Sequence, residues 1–538
     1  MSKRMIGRYG LTLFLILGSV IGSPVRADEP PAPEPKAVAE PGKTQEKGAA
    51  VSVELGKAVY EKRCLGCHGV TGAGDGPAAE RFKPRPRDFT RGLFKYKTTA
   101  HGSVPVDDDL IKVVTNGLPG TGMPAWSSLL KENEIRSVVQ YVKTFAPQFA
   151  EAPKMITIGP EIKSSKESIA KGKDIFNSVG CMMCHGDEGR GNGPLAPTLK
   201  DSWGRPVQPR NLTKGWTFRS GNAPKDIYTR INTGLMGTPM PSFASTLDNE
   251  KSWHVANYVN SLSQYPGQPD WKVAVVAKPI SGDVADDPED PRWAPLEQHS
   301  FPLVGQVTID PRMFTPTVDM VTVKAMYNEK EFALLLIWDD PTKSVATPSS
   351  GEGVPEIFDD AIAIQFPTKM KEGNEKPYFI MGDPAHPVYV ARWNGRTNSV
   401  DEFNAKGTEV RVGLRITPQE ESHWQFKGKG VYKSGQYKAV FKRPLQTEDK
   451  ETDLQIEPGR FYPIAFTAWD GSNGEHDAQR SLSAWYSILL EVPPSKDRYI
   501  YPTLFLMGVV GIEWWISRSY RNGNGNGNGN GNGKGKEK

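Results

Sequence analysis

Cys64-Leu65-Gly66-Cys67-His68 and Cys181-Met182-Met183-Cys184-His185 hold all four cysteines of this 538-residue chain in two copies of one motif. Two thiols at that spacing can form thioethers to the vinyl groups of one haem, and the adjacent His then reaches the iron. A Cys-x-x-Cys alone could be a redox dithiol or half a zinc site. The His that follows, the duplication, and the lack of further cysteines to complete a zinc shell point to covalent haem attachment. Two haem c groups are therefore expected, on Cys64 and Cys67 and on Cys181 and Cys184, with His68 and His185 on the irons.

The copies belong to a longer repeat. His68 and His185 lie 117 positions apart, and so do Met123 in Gly120-Thr121-Gly122-Met123-Pro124 and Met240 in Gly237-Thr238-Pro239-Met240-Pro241. Each Met thus falls 55 positions after its His (68 to 123, 185 to 240). Both halves resemble class I cytochromes c, which place a sulfur ligand on such a downstream loop. The resemblance implies Met123 and Met240 as the opposite axial ligands, and a thioether favours ferrous iron. Met236 is the rival in the second copy, but it aligns with Pro119. Arg87-Asp88-Phe89-Thr90 matches Arg210-Asn211-Leu212-Thr213, and Asp75-Gly76-Pro77 matches Asn192-Gly193-Pro194. Amphipathic segments precede each motif (Gly56 to Tyr60, Gly172 to Phe176) and follow each Met (Ile135 to Phe145, Trp253 to Leu262) at helical spacing. His101 and His254 have no counterpart in the other copy and read as surface or helix-face residues.

The resulting division is a multidomain chain: two all-α cytochrome c domains (51–150 and 160–265), an all-β sandwich (278–494) and a C-terminal transmembrane helix. Residues 1–27 read as a signal peptide, with Lys3, Arg4 and Arg8 before an apolar run and Val25-Arg26-Ala27 as a cleavage site. Residues 28–50, rich in Pro, Ala, Glu and Lys, read as a disordered linker. Residues 499–516 would span about 27 Å as a helix, enough for a bilayer core. Tyr499, Tyr501, Trp514 and Trp515 mark its interfaces, and Arg518 and Arg521 place the low-complexity tail, 517–538, in the cytoplasm. The body then lies on the periplasmic side of the cytoplasmic membrane. Net charge is +4 from 66 basic and 62 acidic residues, too small for a nucleic-acid footprint.

Between 278 and 494 short β-rich runs alternate with turn clusters, as in a sandwich or barrel. Leu336-Ile337-Trp338-Asp339-Asp340-Pro341, Phe358-Asp359-Asp360-Ala361, Phe379-Ile380-Met381-Gly382, and Ala468-Trp469-Asp470-Gly471-Ser472 onward to Trp485-Tyr486 resemble the haem-binding gamma subunits of complex iron–sulfur molybdoenzymes. That group includes ethylbenzene and dimethylsulfide dehydrogenases, selenate and chlorate reductases, and the gamma-type subunits of nitrite oxidoreductase. The resemblance implies one haem b held between a Met and a Lys, carried here onto Met381 and Lys442, with Lys438 as the alternative. On a strand, 438 and 442 share a face, so alternation does not choose between them. The acids near Asp339 and Asp359 read as turn organisers.

Six-coordinate haems leave no open position for substrate, and no catalytic constellation stands out. The chain is therefore expected to relay electrons and not to be catalytic alone. Its implied partners are a molybdenum-containing alpha subunit, an iron–sulfur beta subunit, and a soluble cytochrome c or membrane oxidase. The combination looks most like a nitrite oxidoreductase gamma subunit of nitrite-oxidising bacteria. The alternatives are the gamma subunit of another molybdoenzyme, a dihaem peroxidase-like enzyme, or a β-domain that has lost its haem and only docks the cytochromes. The sequence permits electron flow in either direction.

Overall fold

The computed structural model describes residues 50–263, 271–347, 356–369, 375–409, 413–451, 453–492 and 497–523. The signal peptide, nearly all of the linker and most of the tail expected from the sequence lie outside them.

The first helical domain is built from α1 (Val53–Arg63), α2 (Leu65–His68), α3 (Asp107–Asn116) and α4 (Glu132–Lys143). Ser52 caps α1 by accepting from the Leu55 N–H, while Lys62 and Arg63 complement the dipole at its end. The one-turn α2 carries the Cys-x-x-Cys-His and stops at Gly69, whose φ of +80° suits glycine. Ile135, Val138, Val139 and Val142 form the buried stripe of α4. It crosses α1 so closely that a Cβ built on Gly56 would lie 2.0 Å from the Ser137 carbonyl oxygen.

The second helical domain repeats this plan with α5 (Lys166–Ser178), α6 (Met182–His185), α7 (Pro224–Thr233) and α8 (Asn249–Leu262). Ser165 and Asp248 cap α5 and α8. Gly186 ends α6 at φ +79°. Gly172 meets the His254 carbonyl as Gly56 meets that of Ser137, again at 2.0 Å for a built Cβ. Aromatic rings seal both crossings: Tyr60 against Tyr141 and Phe145, and Phe176 against Tyr258.

The β-domain strands are β1 (Ala274–Pro279), β2 (His299–Pro302), β3 (Val304–Gly305), β4 (Met320–Tyr327), β5 (Glu331–Asp339), β6 (Ala361–Pro367) and β7 (Val388–Asn394). They continue as β8 (Ser399–Glu409), β9 (Gly413–Pro418), β10 (Lys427–Lys433), β11 (Gln436–Pro444), β12 (Phe461–Trp469), β13 (Ser481–Leu482) and β14 (Tyr486–Leu490). The main path runs β10-β11-β5-β4-β1-β14-β12-β6-β7-β8-β9. β1 is parallel to both its neighbours, β4 and β14. The sheet folds over on itself, because alternate residues of β4, β5 and β11 share one core with those of β6, β7 and β12. The buried Val275 and Ala277 of β1 pair with β14, which ties the start of the domain to its last strand.

The last helix, α9 (Asp497–Gly523), contains the segment Arg498–Arg521, which is long and apolar enough to cross a membrane. None of its apolar window is buried against the rest of the chain.

Candidate haem and docking sites

Each Cys-x-x-Cys-His sits at the end of the helix crossing, and each His is tied at the same atom. His68 Nδ1 lies 3.1 Å from the Arg87 carbonyl oxygen, and His185 Nδ1 lies 3.0 Å from that of Arg210. A carbonyl only accepts, so Nδ1 carries the proton and the lone pair remains on Nε2. Burial lowers the pKa of both rings, which keeps them neutral and able to donate that pair. Burial also pushes the Cys64 and Cys181 thiols up to about 11. Neither is a thiolate poised for metal binding or exchange.

Cys64, Cys67, His68 and Met123 line one cavity of the first domain. The methionine loops match bond for bond. Met123 N–H donates to Thr121 Oγ1 at 3.1 Å and its carbonyl accepts from Leu118 N–H at 3.0 Å. Met240 makes the same bonds with Thr238 and Leu235, at 3.3 and 3.1 Å. Met236 is the more buried of the two methionines in the second domain, while Met240 is part-exposed.

Arg87, Lys95 and Arg219 line the first cavity as well. Burial lowers Arg87 to about 10, and burial with the Arg87 and Arg219 charges lowers Lys95 to about 7. A cationic rim on an apolar cavity that also presents two thiols, an imidazole and a thioether suits a haem with its paired carboxylates. His101 and His254 are placed elsewhere. His254 Nδ1 meets Ser168 Oγ at 2.8 Å between α8 and α5, and exposed His101 reaches the Thr233 carbonyl at 3.2 Å.

The residue after each anchoring Arg docks the next domain. Asp88 accepts the Trp203 indole N–H at 3.0 Å, with the Arg87 and Arg91 guanidinia 5.0 and 4.9 Å from the Trp203 ring centroid. Arg219 reinforces this contact by donating to the Pro119 and Gly120 carbonyls beside the first methionine loop. At the equivalent position, Asn211 donates to Asp339 at the end of β5 across 3.0 Å. Arg190 Nε lies 3.4 Å from Asp339, and Lys214 lies 3.6 Å from Asp339 and 2.5 Å from Asp319. Burial opposes the Lys214 charge, yet the two carboxylates outweigh it and hold its pKa above the ordinary value.

The structure does not bring Met381 and Lys442 together. Met381, at φ +55° and 2% exposed, packs with Val388, Val390, Phe403 and Ala405 on the face of β6, β7 and β8 turned away from the shared core. Lys442 pairs with Glu331 at 3.1 Å on the outward face of β11 and β5. Val440 of that face packs beneath Val284, Ala285 and Trp293. Lys438 has the same parity as Lys442. The shared core thus lies between the face that carries Met381 and the face that carries Lys438 and Lys442. Sequence reasoning also missed the use of the Arg87 and Arg210 carbonyls, although the repeated Arg-Asp-Phe-Thr and Arg-Asn-Leu-Thr carried the signal.

Three parts of the chain match known families. Residues 51–142 match cytochrome c oxidase, cbb3-type, subunit III; 169–263 match cytochrome c; and 402–481 match ethylbenzene dehydrogenase. A cbb3-type cytochrome c oxidase subunit of an Azospirillum species is 28% identical over 38% of this chain and 61% of its own length. The chain thus spans about three fifths of that relative. The chlorate reductase gamma subunit of Ideonella dechloratans is 26% identical over 39% of this chain and 81% of that one. A solved reducing HAO-like protein complex of Kuenenia stuttgartiensis is 41% identical, covering 40% of this chain and 97% of that one, with a TM-score of 0.38.

Proposed function

We propose that this chain, which joins two cytochrome c domains to an ethylbenzene dehydrogenase gamma-like domain, is the membrane-anchored, periplasm-facing electron-transfer subunit of a molybdenum and iron–sulfur oxidoreductase. It relays electrons between the catalytic complex and a soluble cytochrome c or membrane oxidase. Haem c on Cys64 and Cys67 and on Cys181 and Cys184, with His68 and Met123 or His185 and Met240 as axial ligands, supplies one-electron transfer. The protein orients the imidazoles through the Arg87 and Arg210 carbonyls and sets the methionines by matched loops.

The observation that carries this reading is the serial docking. The loop that anchors each haem histidine also grips the following domain, Asp88 on Trp203 and Asn211 on Asp339. Such coupling supports a relay, which needs each redox module close to the next. A haem b in the β-domain belongs to the proposal through the family match, with Met381 and Lys442, or Lys438 in its place, as the candidate ligands. The exposed apolar helix Arg498–Arg521 suits a single-pass anchor.

Nitrite oxidoreductase is the finer reading, because a gamma-type domain is here fused to two cytochromes and an anchor. Isolation of the native complex tests it. Stoichiometric molybdenum and iron–sulfur subunits should accompany the chain, and nitrite should reduce its haem c. A chain isolated without such subunits contradicts the class. A complex that ignores nitrite but responds to another molybdoenzyme substrate moves the assignment within it.

A further inference from the structure

We infer that Asp340, Asp360 and Asp470 form a binding site for a hard divalent cation, of the calcium class, at the end of the β-domain that receives the second cytochrome domain. The three acids come from distant turns: directly after β5, directly before β6 and directly after β12. All are buried, at 0%, 0% and 1% exposure, and one carboxylate oxygen from each lies within 4.8 Å of the others. Calcium with ligands at about 2.3–2.6 Å spans oxygen pairs of that separation.

The surrounding hydrogen bonds hold the three carboxyl groups in place. Asp360 accepts from Ser344 N–H, the Tyr437 hydroxyl and Gly471 N–H. Asp340 Oδ1 accepts from Thr342 N–H at 3.0 Å, and Asp470 Oδ1 from Ser472 N–H at 2.9 Å. Asp340 Oδ2, fully buried, has no hydrogen-bond partner. Among the described residues, no lysine or arginine pairs with any of the three. Three carboxylates in a dry pocket with a lone acceptor left over are costly unless a cation or protons compensate them. The donors are all oxygen, with no His or Cys among them, which favours calcium over zinc or copper.

The site adjoins Asp339, which receives Arg190, Asn211 and Lys214. A cation there stiffens the strand end on which the cytochrome docks. This inference stands independently of the electron-transfer reading.

Calcium content of the full chain, purified without chelators and exhaustively exchanged, tests it alongside thermal unfolding. We expect one tightly held calcium per chain, absent in Asp340→Asn and Asp360→Asn. Chelation should lower the Tm of the wild-type β-domain by roughly 5–10 °C, with recovery on adding calcium chloride alone. No calcium in the wild type and a Tm indifferent to chelator and calcium chloride would overturn the site, as would full calcium retention in both variants. Wild-type add-back decides the matter if the variants fail to fold.

Discussion

Asn211 donates to Asp339 from the position in its loop at which Asp88 accepts from Trp203. In both domains the preceding residue is the Arg whose carbonyl fixes the haem-motif histidine. Module orientation and ligand orientation are thus coupled through one backbone segment. Asp339→Ala should loosen the second junction by about 1–3 kcal/mol, because Asn211 loses its acceptor and Lys214 keeps only Asp319. Hydrogen exchange should quicken over residues 210–214 and remain unchanged in the first domain.

Gly172→Ala pushes a methyl into the His254 carbonyl oxygen, and Gly56→Ala does the same at Ser137. Overpacking of this kind costs about 1–3 kcal/mol. The helix pair that carries each haem motif should separate, lowering the Tm of the affected domain while its neighbour holds. Domain-resolved thermal melts of the single variants check this.

Legibility in the sequence followed the range of the interactions. The two Cys-x-x-Cys-His motifs and their methionine loops were readable because covalent attachment needs contiguous residues and the repeat gives an internal control. β4 and β10 carry only a weak strand signal. β4 interrupts its apolar run with Lys324, and β10 is an edge strand of alternating Lys and Gly. Alternation shows that Lys438 and Lys442 share a face, but which strands lie across the core from that face is set only by the closed sheet. Asp340, Asp360 and Asp470 read singly as turn residues, since only the closed sheet brings their three turns to one point.

Glu402 gives the β-domain a pH dependence of definite sign. Burial raises its carboxyl to about 7, against the opposing hydrogen bonds from Tyr389 and Phe426 N–H and the Arg443 charge. A raised carboxyl pKa means that the folded state binds the proton more tightly. The contribution of Glu402 is therefore fully present below about pH 4.5 and lost as pH rises through about 7, a change on the order of 3 kcal/mol. Glu402→Gln should flatten that limb of the stability profile, measured by denaturant unfolding between pH 4.5 and 8.

Sulfur coordination of both haem c irons by Met123 and Met240 should appear as a far-red charge-transfer band of the oxidised full-length protein. That band should fall by about half in Met123→Ala, by about half in Met240→Ala, and vanish in the double variant. A band absent from the wild type, or unchanged by either substitution, would contradict that coordination.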